Sequence, residues 1–182
     1  MSVLDKVIAA VVPEPSPEKR QEVRQQARSL ADNSGWLAQV LDHHEQIDEG
    51  FEAVRLAPTA NARRKAQKQL AELLTGHSLA EEVVLYPAMA LGDHKAHSAE
   101  AYVEQSGAKV QLAGLEDLDP MSRDYLDKLE HLRSAVAMHV YREERDWFPA
   151  LRKHGDAAAQ AKLSRRYREE FDRYLGATAS VG

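Results

Sequence analysis

Apolar residues recur at helical spacing along most of the chain, and turn residues cut that pattern into six segments. Pro17 in a first turn, capped by Ser16, opens a helix to about residue 31. Asp32-Asn33-Ser34-Gly35 is a turn signal. A second helix, about 36–56, places Leu37, Val40, Leu41, Ile47, Phe51 and Val54 on one face. After Pro58-Thr59, a third covers about 61–86, with Leu70, Leu73, Val84 and Leu85 inward, and Pro87 is expected to close it. Leu91-Gly92-Asp93 reads as a loop. A fourth helix, about 94–115, carries Ala101, Ala108, Leu112 and Leu115 inward. A turn at Asp117–Pro120 leads into a fifth helix, about 122–148, and a last one covers about 157–175. Four long helices joined by short loops predict an all-α, up-and-down four-helix bundle with extra N- and C-terminal helices. The expected organisation is an apolar segment and Pro-rich linker over 1–16, a helical domain over 17–175 with its core bundle at about 36–152, and a tail over 176–182.

Composition narrows the chemistry. The hydrophobic fraction of 43% is enough for a core, and aromatic residues make up only 6%, which leaves the strong helix formers dominant. A net charge of -5 argues against a nucleic-acid partner, because a binder of nucleic acid needs a basic face. The basic run Arg165–Arg168 is followed at once by Glu169 and Glu170 and reads as a solvated helix face. With no cysteine, any metal must be held by nitrogen and oxygen ligands. Val7–Val12 is too short for a signal peptide or a membrane span, so a cytoplasmic location and no membrane partner are the expectation.

The most informative feature is a repeat. Residues 77–89 read HSLAEEVVLYPAM and residues 139–151 read HVYREERDWFPAL. Five positions are identical, two more are similar, and no gap is needed. Two copies of one helix end imply approximate two-fold symmetry inside the bundle. His and Glu four residues apart share one helix face, so an imidazole nitrogen and a carboxylate oxygen can reach one metal. Two such helices facing each other supply two nitrogens and two bridging carboxylates. His77 and Glu81 continue the inward stripe of the third helix, and His139 and Glu143 that of the fifth, with Leu129, Leu132, Val136 and Trp147. Ionisable groups stand where leucine is expected, which is costly unless they are paired or metal-bound. Surface His–Glu pairs, or a core network without metal, are the weaker readings. Glu82 and Glu144 lie about 100° round the helix and either face solvent or support the ligands from behind.

In Asp42-His43-His44-Glu45 the apolar stripe selects His44, leaving His43 at its edge. The fourth helix offers Gln105 at the position that matches His44, with Glu104 beside it. Either can serve as a metal ligand or support one. His94 and His97 read as loop and surface residues, His131 as just off the stripe, and His154 as part of a helix end, where a cation is favoured.

These motifs resemble the hemerythrin-like, HHE cation-binding family over about residues 36–152. The residues that carry the likeness are Asp42–Glu45, His77, Glu81, Glu82 and Tyr86-Pro87, and His139, Glu143, Glu144 and Phe148-Pro149. The resemblance implies a four-helix bundle holding a carboxylate-bridged, non-haem di-iron centre, about two irons per chain, with His44, His77, Glu81, His139 and Glu143 as ligands. It implies partners such as oxygen, peroxide or nitric oxide, and a part in sensing or stress response. The family's third-helix His is absent, because Gln105 stands there. Five strong ligands leave open positions, which favours reactivity over reversible oxygen storage and keeps a mononuclear or zinc site open. A second class of reading is a signalling or interaction module. In it the outer helices, 17–31 and 157–175, dock a partner or a second copy rather than cap the bundle. Iron storage ranks last, for want of a dense acidic channel.

Overall fold

A computed structural model describes residues 14–91 and 95–179. The apolar stretch Val7–Val12, the Gly92-Asp93 turn, His94 and the last three residues of the expected tail lie outside the described residues. Among those described there are helices and no strands.

Helix α1 is Pro17–Arg28, and Ser16 caps it by accepting the Lys19 N–H at 3.3 Å. Helix α2 is Trp36–Leu56. Helix α3 runs Ala60–Ala80, passes through a π-helical turn at Glu81–Leu85, and continues as Tyr86–Leu91. Helix α4 is Lys95–Ala113. Helix α5 runs Arg123–Arg142, has its own π turn at Glu143–Trp147, and continues as Phe148–Lys153. Helix α6, Ala157–Ala179, passes its expected end at residue 175, so residues 176–179 are helical.

Pro87 does not close α3, contrary to the sequence expectation, and Pro149 does not close α5. In a regular α-helix the proline ring meets the carbonyl four residues back and removes a hydrogen bond. Here the preceding turn is wider. The Tyr86 N–H bonds to Glu81 O, and the Phe148 N–H bonds to Glu143 O, each five residues back. Both wide turns begin at the glutamate of the repeat, and such turns are frequent at functional sites.

Helices α2, α3, α4 and α5 form a ring, each packed on the next and α5 on α2. This is the four-helix bundle that the apolar spacing predicts. Helix α6 lies along α3 and α2, and α1 lies against α5 and α2. Gly76 permits the close approach of α6, because a Cβ there would stand 3.1 Å from Tyr174 Cδ1. Arg63, buried in the first turn of α3, donates to the carbonyls of Val54, Arg55, Ala57 and Pro120. It thereby satisfies carbonyls that the end of α2 leaves without helical partners.

The core divides into two apolar clusters. One, around Trp36, Leu37, Leu41, Leu85, Met89 and Phe148, occupies one end of the bundle. The other, around Ile47, Phe51, Leu70, Leu129 and Leu132, occupies the opposite end. Between them lies a buried polar layer containing His44, His77, Glu81, Gln105, His139, Glu143 and Glu144. No described helix is long and apolar enough to cross a membrane.

Candidate metal centre

Four helices contribute to the polar layer: α2 brings His44, α3 brings His77 and Glu81, α4 brings Gln105, and α5 brings His139 and Glu143. Glu81 and Glu143 have no solvent exposure at all. One ligand-capable atom from each of His44, His77, Glu81 and Glu143 lies within 4.8 Å of the others. His77 Nε2 is 3.3 Å from Glu81 Oε2, and His44 Nε2 is 3.4 Å from Glu143 Oε2. His139 meets the other oxygen of Glu143, with Nε2 3.2 Å from Oε1. The Glu143 carboxylate therefore lies between His44 on one side and His139 on the other.

Each histidine is held from behind through Nδ1. His44 Nδ1 is 2.9 Å from Glu144 Oε1, which also accepts from Arg24 Nε of α1 at 2.7 Å. His139 Nδ1 is 2.8 Å from Glu104 Oε2, and Glu104 is itself paired with Arg142. His77 Nδ1 is 3.0 Å from the Tyr167 hydroxyl of α6, which lies 2.9 Å from His43 Nδ1. An imidazole that donates its Nδ1 proton to such a partner presents a bare Nε2 to a metal. In all three residues Nε2 faces the pocket.

The geometry assigns places to residues whose roles the sequence left open. Glu104 and the half-buried His43 stand behind the histidines rather than among the clustered oxygens. Glu144 is buried behind His44, whereas Glu82 is partly exposed and takes a hydrogen bond from Lys109 at 2.5 Å. Gln105 is buried, and its amide donates to Glu81 Oε2 at 2.6 Å and to Tyr86 Oη at 2.5 Å. His97 is partly buried, and its ring stacks on Trp147 at 5.8 Å, so it is not a plain surface residue. His131 and His154 are exposed.

Three residues at the site were given no role there by the sequence. Tyr86 Oη lies 2.9 Å from Glu143 Oε1, 3.2 Å from Glu81 Oε2 and 3.1 Å from His139 Nε2. Its only signal was its place in the repeat, where the second copy has Phe148. Tyr167 sits inside the basic run taken for a solvated face. Arg165, Arg166 and Arg168 are exposed, but at 100° per residue Tyr167 turns inward and is fully buried. Arg24 carried no signal at all.

The electrostatics show what the cluster demands. Burial would lower the His44 pKa, but the Glu143 and Glu144 carboxylates beside its two ring nitrogens outweigh it and raise it to about 9. His139 is raised to about 10 in the same way: burial opposes, and the Glu143 charge with hydrogen bonds to Glu104 and Glu143 prevails. Burial, and next the His44 charge, hold His77 well below the ordinary histidine value. Burial, and next the Glu143 charge, push Glu81 well above the carboxylate range. Burial and the two carboxylates do the same to the Tyr86 phenol. The pocket thus draws positive charge onto two of its three imidazoles, His44 and His139, a demand that a bound cation also meets.

The donor set fits a metal by a second test. His44 Nε2, Glu81 Oε1, Gln105 Oε1 and Glu143 Oε2 are buried and make no hydrogen bond among the described residues. Such orphaned atoms are rare in folded proteins and ask for a partner. Imidazole nitrogens and carboxylate oxygens suit iron, zinc or manganese.

Comparison with known proteins agrees. The chain matches the Hemerythrin HHE cation binding domain over residues 37–151, and it belongs to that family. A crystal structure of a hemerythrin HHE cation binding domain-containing protein, the Rv2633c homolog from Mycobacterium kansasii, matches with a TM-score of 0.71. That match covers 80% of this chain and 90% of the other at 22% identity, and shows the shared fold. A curated protein from Nostoc sp. (strain PCC 7120 / SAG 25.82 / UTEX 2576), a DNA nickase, is 32% identical over 96 residues. The match spans 51% of this chain and 27% of the nickase. A cation-binding fold and a buried His/Glu group positioned to bind a metal ion define the chain as a metal-binding helical bundle.

Proposed function

We propose that the polar layer holds two iron ions as a non-haem, carboxylate-bridged centre that reacts with a small ligand such as oxygen, peroxide or nitric oxide. The observation that carries this reading is the placement of the Glu143 carboxylate, with Oε2 toward His44 and Oε1 toward His139. Glu143 would bridge the two metal positions, and Glu81, beside His77, would be the second carboxylate. His44 and His77 would hold one ion and His139 the other. Iron in that position supplies redox electrons and open coordination sites. The protein's residues fix the imidazoles through Glu144, Tyr167 and Glu104, and the two apolar clusters exclude bulk water. Surface grooves of about 700 and 490 Å³ include none of the clustered residues.

A second reading has one supporting observation. His44, His77, Glu81 and Glu143 alone form a four-ligand group, enough for a mononuclear or zinc site. The nickase likeness brings no DNA activity into either reading, given the small share of that protein spanned and a net charge of -5.

The test is metal content after anaerobic loading with ferrous iron. The di-iron reading predicts about two irons per chain. It predicts that His139→Ala retains one and that Glu143→Ala retains none. A single metal in the wild-type protein, unchanged by His139→Ala, supports the mononuclear reading, and no metal overturns both.

A further inference from the structure

The repeat relates two halves of the site, and the halves differ at two positions that touch. In one half His44 of α2 faces Glu143 and its ring stacks toward Phe148 of α5, 6.5 Å away. The matching positions in the other half are Gln105 of α4, Glu81 and Tyr86 of α3. Where one half has histidine and phenylalanine, the other has glutamine and tyrosine. The half that lacks the nitrogen donor has gained a phenol oxygen.

That oxygen stands where a donor would be needed. Tyr86 Oη is within 3.2 Å of Glu81 Oε2, Glu143 Oε1 and His139 Nε2, and it also accepts from Gln105 Nε2. A hydroxyl has one proton and can direct it at one acceptor. With His139 Nε2 bare toward a metal, the contacts left over, to the second carboxylate oxygen and to that nitrogen, set lone pairs against lone pairs in a buried site. A cation among these atoms resolves the conflict. The Gln105 N–H then supports negative charge on the phenol oxygen.

Building on the di-iron reading, we infer that Tyr86 is a metal ligand. It binds through Oη the ion on the His139 side, in place of the histidine that Gln105 has replaced. Ligation breaks the phenol O–H bond, forms the oxygen–metal bond and releases the proton to solvent. Gln105 is a positioning residue whose amide holds the phenol oxygen.

The test loads the full chain with ferrous iron without oxygen, oxidises it in air, and records iron content, visible absorption and resonance Raman spectra. The wild type is expected to show a phenolate-to-iron charge-transfer band with tyrosinate ring modes in the Raman spectrum. Tyr86→Phe is expected to lose the band and to fall from about two irons to about one. The double variant Tyr86→Phe/Gln105→His rebuilds the His–Phe pair of the other half. It is expected to regain the second iron without the band. Tyr167→Phe, the nearby phenol control, keeps the band at saturating iron. Circular dichroism shows whether each variant folds, and the wild-type Raman spectrum tests phenol ligation without any variant. Two irons without tyrosinate modes, or a band that survives in Tyr86→Phe, overturns the Tyr86 assignment and leaves the di-iron reading standing. A wild type that binds no iron overturns the di-iron reading itself.

Discussion

His44 and His139 are held as cations in the metal-free chain by the carboxylates around them, with pKa values of about 9 and about 10. Both lie above the unfolded value near 6.5. Their stabilising contribution is therefore full below about pH 6.5 and is lost as pH rises through 9 and 10. The raised Glu81 acts in the same sense, since its folded form also binds the extra proton. The metal-free chain should become easier to unfold with urea between pH 6.5 and 10. Iron must displace the same protons, so its affinity should rise across that window. Titration with iron at three pH values, alongside urea midpoints of the metal-free chain, checks both slopes, and opposite or flat slopes would remove the proton competition argued for this site. At this scale the sequence was partly legible. The inward stripes placed His44, His77, Glu81, His139 and Glu143 on buried faces, because burial in a bundle recurs with the helical period. Tyr86 was read only as part of the Tyr-Pro element of the repeat, which gives its hydroxyl no role at a metal. Only its phenylalanine counterpart marks the hydroxyl as an addition.

Helices α1 and α6 lie outside the segment that matches the family, yet they end in contacts to the site. Helix α1 brings Arg24 to Glu144, the carboxylate behind His44. Helix α6 brings Tyr167 to His77. For His77 to bind a metal through Nε2, its proton must sit on Nδ1 and point at Tyr167. The Tyr167 hydroxyl must then donate to His43 Nδ1. His43 can accept because burial, and next the His44 charge, hold its pKa down to about 4. The direction of this chain fixes the tautomer of both histidines. Tyr167→Phe removes the acceptor behind His77, and Arg24→Met weakens the clamp on Glu144. Each should lower iron affinity by about 10–100-fold, measured by competition with a chelator, with the helical content kept. Unchanged affinity in both would reduce α1 and α6 to a covering role. These contacts join residues 120 and 90 positions apart, which no local pattern records. The π turns were hidden for a different reason. A proline after a helical stripe reads as a stop, and only the wider turn before Pro87 and Pro149 lets the helix run on.

Across the whole molecule, the bundle separates two apolar clusters by one polar layer. Buried polar groups of this kind cost stability unless each has a partner. Many here are satisfied by hydrogen bonds, and the layer's orphaned atoms include His44 Nε2, Glu81 Oε1, Gln105 Oε1 and Glu143 Oε2. The four-helix architecture was legible because long amphipathic helices joined by short loops pack as neighbours. The packing of α1 on α5 and of α6 on α3 depends on side-chain fit, including the close approach at Gly76, and was not. The central claim is that the layer holds two metals, spanned by Glu143. An anomalous difference map at the iron edge, from crystals of the iron-loaded chain, tests it directly. The account predicts two peaks, one beside His44 and His77 and one beside His139 and Tyr86, with Glu143 reaching both. A single peak among His44, His77, Glu81 and Glu143, or none, would contradict it.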